Sequence, residues 1–184
     1  MLTDGQKRIL LKIARDTLSC RIAGGKSDAV DIDAPFLKEK RGVFVTLRQG
    51  EELRGCIGSI MPVMPLEEGV REMAMEAALN DPRFPPVTGA ELGDIEVEIS
   101  VLTVPRRVED AAEIVLGRDG VIVKRGMRQG VFLPQVAEET GWSREEFLGY
   151  LCAHKAGLPP DAWKDANTEL RVFQAEVFSE GEVK

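Results

Sequence analysis

Between Ile95 and Val101 the chain alternates without a fault, with Ile95, Val97, Ile99 and Val101 on one side of an extended segment and Glu96, Glu98 and Ser100 on the other. Such a strand is half-buried: one face must be covered and the other stays wet. Glu96 and Glu98 share the polar face. Paired carboxylates can perform acid–base or metal work, whereas two glutamates pointing outward from one strand ordinarily form a solvated face.

Around this strand the remaining pattern is mixed. Thr3 and Gln6 have capping-box spacing, and Ile9, Leu10, Ile13, Ala14, Thr17 and Leu18 recur on one helical face until Gly24-Gly25. Cys20 falls on the same arc as Ile9 and reads as core. The polar stretch 26–40 reads as a loop, and the apolar runs 43–47 and 53–60 around Gln49-Gly50-Glu51 read as a hairpin. Pro65 opens a second helix with the stripe Leu66, Val70, Met73, Ala74 and Ala77, which Pro82 stops. The pattern then predicts a short helix over 109–116, a hairpin from 121–124 to 131–133, and short helices after Pro134 and Ser143. Ser143 and Glu146 repeat the capping-box spacing, and a closing strand covers 170–178. His154, the only histidine, sits at the edge of the apolar arc of Phe147, Leu148, Leu151 and Cys152 and reads as a boundary residue rather than a base. Lys124, Arg125 and Arg128 make one hairpin tip basic, which without interleaved aromatics is solvation rather than a nucleic-acid platform.

The chemistry-bearing stretch is Leu53-Arg54-Gly55-Cys56-Ile57-Gly58. On a strand, Arg54, Cys56 and Gly58 share one face, placing a thiol beside a cation that favours the thiolate, and Gly55 and Gly58 would leave room for a ligand to approach. The same residues also fit a buried structural cysteine with glycines at a bulge or a close backbone approach. In the following loop, Asp81-Pro82-Arg83-Phe84-Pro85-Pro86, prolines restrict Arg83 and could present it at low entropy cost, or simply connect two elements.

Bulk properties narrow the classes. With 184 residues, 43% apolar and 30% charged, the chain is long enough for one core or two lobes, and it lacks the composition of disorder. A formal charge of −7 disfavours a general nucleic-acid binder, and no apolar run reaches membrane-spanning length, so neither nucleic acid nor membrane is an expected partner. Cys20, Cys56 and Cys152 are odd in number and far apart, which suits a reducing cytoplasm. With one histidine and no CxxC pair, no Cys/His metal site is expected.

Six blocks carry a resemblance: Gly42-Val43-Phe44-Val45-Thr46-Leu47, Leu53-Arg54-Gly55-Cys56-Ile57-Gly58, Asp81-Pro82-Arg83-Phe84, Glu98-Ile99-Ser100-Val101-Leu102, Leu133-Pro134-Gln135-Val136 and Lys155-Ala156-Gly157-Leu158-Pro159. Together, in this order over nearly the whole chain, they resemble the AmmeMemoRadiSam system protein A family, also called the AMMECR (AMME syndrome candidate) family. The resemblance implies an α+β fold, mainly antiparallel sheet flanked by helices. It implies a single domain over 3–180 built as two closely packed lobes, with the cysteine motif lining the region between them. It also implies a pathway shared with a Memo-like protein and a radical SAM protein, and it names no cofactor. Relatives have one residue between the positions aligned with Cys152 and Lys155, where this chain has both Ala153 and His154, so the resemblance gives His154 no role.

Two functions stay open. The chain is a cytoplasmic enzyme in which Cys56 is catalytic and Arg54, Gly55, Gly58 and Arg83 bind a small anionic substrate, or it is a binding module for the same class of ligand or for a protein partner. Catalysis by Cys56 lacks an evident histidine base, leaving Glu96, Glu98, a substrate group or water.

Overall fold

Two separate apolar clusters organise the chain, one within Met1–Leu102 and Glu176–Lys184, the other within Thr103–Ala175. The computed structural model describes residues 1–24 and 34–183. The elements in chain order are α1 (Asp4–Ala23), β1 (Val43–Gln49), β2 (Glu52–Ser59), α2 (Leu66–Leu79), β3 (Ile95–Leu102), β4 (Arg106–Val108), β5 (Gly120–Arg125), β6 (Arg128–Phe132), α3 (Gln135–Thr140), α4 (Arg144–Tyr150), β7 (Glu169–Phe173) and β8 (Ala175–Ser179). This is an α+β fold. Among the described residues no helix is long and apolar enough to cross a membrane.

In the first unit the sheet order is β2-β1-β3-β8, with β1 antiparallel to both β2 and β3. The alternation of Ile95–Val101 appears as strict burial of Ile95, Val97, Ile99 and Val101, which join Val43, Val45 and Leu47 of β1 under α1 and α2. Helices on one face of an antiparallel sheet give the layering of this class. Thr3 caps α1 as the spacing predicts, its hydroxyl accepting from Gln6 N at 3.3 Å while Thr3 N donates to Gln6 Oε1 at 2.8 Å. Gly24 closes the helix in the left-handed region, φ 69°. Gly25 and most of the predicted 26–40 loop lie outside the described residues; the remainder forms a 3-10 turn at Pro35–Lys38.

One expectation on α1 is corrected. Cys20 is partly exposed, because the buried stripe is Leu10, Leu11, Ile13, Ala14 and Leu18, and Ile9, the reference for placing Cys20 in the core, itself lies on the stripe's edge. Pro65 caps α2 rather than opening it, and the predicted stripe is buried together with Gly69 and Ala78.

In the second unit the order is β4-β7-β5-β6. The hairpin β5/β6 runs in register from Val121↔Phe132 to Arg125↔Arg128, so the turn is tighter than the predicted gap between 124 and 131, with Gly126 at φ 60° in it. Over 109–116 only a 3-10 turn forms, Ala111–Glu113, because the chain becomes extended at Ile114 to bury that side chain fully. The single closing strand expected over 170–178 is two strands in two sheets. At Gln174 the ladder is interrupted by bonds to Thr103, N to Oγ1 and O from N, both at 2.9 Å. Ser143 caps α4 with Glu146 as predicted, and the helix then widens into a π-helix at Leu151–Lys155. A π-turn uses one more residue than an α-turn, and this one keeps Leu151 and Cys152 in the core.

Candidate functional site

β2 is an edge strand whose outer side the loop after α2 closes. Cys56 N donates to Asp81 Oδ2 at 2.9 Å, and Cys56 O accepts from Arg83 Nη2 at 3.2 Å. Both main-chain groups of Cys56 therefore face away from β1, which marks Cys56↔Thr46 as a pair exchanging no ladder bonds. Side chains approach most closely across such pairs, and Thr46 Oγ1 stands 3.2 Å from Cys56 Sγ.

Asp81 is the fixed point of the cluster. Its side chain is 2% exposed, and it accepts from Arg83 N at 3.1 Å, Arg83 Nε at 2.9 Å and Arg83 Nη2 at 2.7 Å as well as from Cys56 N. The fork of hydrogen bonds from Arg83, reinforced by the Cys56 and Arg83 amides, holds the Asp81 carboxyl well below the usual carboxylate range despite its burial. Arg83 in turn has its own pKa raised, chiefly by the hydrogen bonds to and charge of Asp81. Its side chain remains 53% exposed, and the guanidinium carbon lies 5.4 Å from the Phe84 ring centroid.

Arg54 has a different surrounding from the one its spacing predicts. The register slips between Leu47 and Arg48, so that Leu47 faces Gly55, Arg48 faces Leu53, and Arg54 is the extra residue of a β-bulge. Its Nε donates to Glu91 Oε1 at 2.9 Å, and Glu91 also accepts from Thr88 N and Oγ1, both at 2.8 Å; Arg54 and then Thr88 hold the Glu91 carboxyl at about 2. The Arg54 side chain is only 11% exposed, and its Nη1 is buried without a hydrogen-bond partner. The cation bonded at Cys56 is thus Arg83, from a loop 27 residues further along the chain.

The room expected beside the glycines is occupied by the protein itself. A Cβ at Gly55 would lie 2.2 Å from the Ala77 carbonyl oxygen of α2, so this glycine lets helix and strand approach. At Gly58 a Cβ would lie 2.2 Å from the Phe44 ring, which fills the space a ligand was expected to use. Both positions correct the reading of a cleared patch.

Of the two carboxylates of β3, Glu98 stands opposite Thr46 and so in the same cross-strand row as Cys56, with Arg48 Nε 3.4 Å away. Glu96 is engaged elsewhere, accepting from Gly181 N at 2.9 Å, and its pKa is lowered by Ser179 and that amide. Asp81 and Thr46 were not singled out by sequence reasoning. The signal for Asp81 was present in Asp81-Pro82-Arg83, a carboxylate two residues from a restricted arginine; Thr46 needed the strand register. Cys152 is buried, and burial pushes its thiol pKa up, a setting for a core side chain. Among the described residues no group of three or more His, Cys, Asp or Glu is placed to hold a metal ion.

Comparison with known proteins adds a lineage. The AMMECR1 family model matches residues 11–178. A protein of Methanothermobacter thermautotrophicus is 48% identical, covering 97% of this chain and 96% of its own length, and Protein MK0488 of Methanopyrus kandleri is 44% identical over 98% and 91%. The crystal structure of the uncharacterized protein PH0010 from Pyrococcus horikoshii superimposes with a TM-score of 0.77 at 43% identity, covering 95% of this chain and 91% of that one.

Proposed function

From the premise that this chain belongs to the AMMECR1 family, we propose that it is a cytoplasmic enzyme acting on a small anionic metabolite through Cys56. One observation carries the reading: a half-exposed guanidinium, Arg83, is fixed by a buried carboxylate against the residue whose thiol is hydrogen-bonded to Thr46. A preorganised fork of this kind suits a carboxylate or phosphate. Cys56 is the nucleophile, Arg83 the anion-binding group, and Thr46 the hydroxyl that orients the thiol. Glu98, in the same row but two strands from Cys56, is too distant to take the proton directly, so the proton passes to a substrate group or to water. Arg54, locked to Glu91, supports the strand edge. The enzyme works in a pathway shared with a Memo-like protein and a radical SAM protein, the partners that the sequence resemblance implies.

A second reading is favoured by a specific feature. The thiol's bonded partner is a hydroxyl rather than a base, and Asp81–Arg83 and Arg54–Glu91 are already closed pairs, which would serve a binding module equally well. Cys56→Ser separates the two, since oxygen replaces sulfur with little change of shape. The enzyme reading expects that this variant retains the stabilisation by anionic metabolites seen in thermal-shift screening of the wild type but fails to restore pathway flux in a deletion strain. Full restoration would assign the chemistry to the partners.

A further inference from the structure

In the 103–175 unit a train of five rings leads from the core to the surface. Fully buried Phe147 packs on Phe132 with centroids 5.1 Å apart, Phe132 on Trp142 at 6.2 Å, Trp142 stacks on Tyr150 at 4.2 Å and 9°, and Tyr150 on His154 at 5.3 Å and 21°. The last two members are not covered: Tyr150 is 42% exposed and His154 is exposed. They open into a groove of about 410 Å³ whose other walls include Gly149, Ala153, Pro160 and Trp163, and whose charged lining is Glu145, Glu146, Asp161 and Lys164. The π-helical turn Leu151–Lys155 keeps Leu151 and Cys152 buried while placing His154 on the Tyr150 ring. Buried rings anchor the exposed ones, so the flat surface exists before any ligand arrives.

The charge of this groove is complementary to a cation. Three carboxylates face one ammonium, and Glu145 and Asp161 have no ion pair among the described residues. Glu146 is committed to the Ser143 cap. The only ammonium, that of Lys164, already stands over the Trp163 ring at 4.9 Å, the arrangement in which an indole face attracts positive charge. Among cations a guanidinium fits best, because it is planar enough to extend the Tyr150–His154 stack and offers a fork of donors to a rim carboxylate, whereas an ammonium can do only one of these.

We infer that the groove between α4 and Trp163 is a docking site for an arginine side chain of a partner protein, received on His154, Tyr150 and Trp163 and paired by Glu145 and Asp161. Titrating the ¹⁵N-labelled full chain with the peptide acetyl-Gly-Arg-Gly-amide tests it, with the two indole N–H signals of Trp142 and Trp163 as reporters. The peptide should move the Trp163 indole and the amides of residues 149–154, saturating in the millimolar range expected of one residue. Its citrulline counterpart, of the same shape without charge, should bind more weakly by a factor of about five or more. The double variant Glu145→Gln, Asp161→Asn should lose affinity by a similar factor at an unchanged melting temperature, since both residues are exposed and neither makes a cap bond. Equal binding of citrulline, an unaffected double variant, or shifts scattered over acidic surface elsewhere would overturn the assignment. A lysine peptide or tetramethylammonium binding as tightly as the arginine peptide would overturn the guanidinium preference. Concentration-dependent self-association blocked by Tyr150→Ala would replace the partner with a second copy of this chain.

Discussion

An added carbon at Gly55 would stand 2.2 Å from the Ala77 carbonyl oxygen, and that obstacle is helix main chain, which cannot swing aside as a side chain can. Gly55→Ala therefore pits a small gain in chain stiffness against overpacking between β2 and α2. Overpacking of this kind costs about 1–3 kcal/mol, the larger effect. Urea unfolding should show a lowered midpoint at unchanged slope. A midpoint equal to wild type would mean that α2 yields and that the glycine serves something other than close approach. The same comparison separates residue types within the motif. Cys56 and Arg83 meet through polar contacts at a partly exposed place, whereas Gly55 and Gly58 are required by packing.

Among the elements, the loop that begins at Asp81 matters most, because it gives β2 the hydrogen bonds that an edge strand otherwise leaves to solvent or to another chain. Its stability contribution depends on acid in a known direction. Asp81 and Glu91 both have folded-state pKa values below their unfolded ones, Asp81 through Arg83 and Glu91, at about 2, through Arg54. Each stabilises fully above its unfolded value near 4 and loses that contribution as pH falls through the folded one. Wild-type stability should accordingly decline as pH drops from about 5 toward 2. Asp81→Asn, which has no carboxyl to protonate, should be less stable at neutral pH and flatter across that window. Denaturation midpoints measured at several pH values decide it. Parallel profiles for the two proteins would show that Asp81 is not among the groups that titrate with unfolding.

For the molecule as a whole, the two units have different dependences on the C-terminal segment. Phe178 is buried in the first cluster, Glu180 accepts from Arg15 Nε and from Val97 N, both at 2.9 Å, and Glu176 accepts from Leu2 N at 2.9 Å. The second unit is one continuous stretch and contains both tryptophans, Trp142 and Trp163. Deleting residues 176–184 removes a fully packed Phe, a change that costs about 3–5 kcal/mol when made by truncation to Ala. The urea midpoint read by far-UV circular dichroism should fall more than the midpoint read by tryptophan fluorescence. Equal shifts would show that the units unfold together.

Local rules were sufficient for most elements. The capping boxes at Thr3 and Ser143, the strict alternation of Ile95–Val101 and the hairpins around Gly50 and Gly126 depend on residues close in sequence, so periodicity and turn chemistry are readable directly. The motif Leu53–Gly58 was also legible as the stretch that carries the chemically distinctive side chains. Which cation bonds there was not, because a one-residue bulge at Arg54 shifts the register and hands that side chain to Glu91, while Asp81 brings Arg83 to Cys56 from beyond α2. The exposure of Cys20, the split at Gln174 and the filling of the space beside Gly58 likewise depended on contacts between residues distant in sequence. Local pattern governs which elements form; the register of neighbouring strands and the packing of helix on sheet govern which side chains touch.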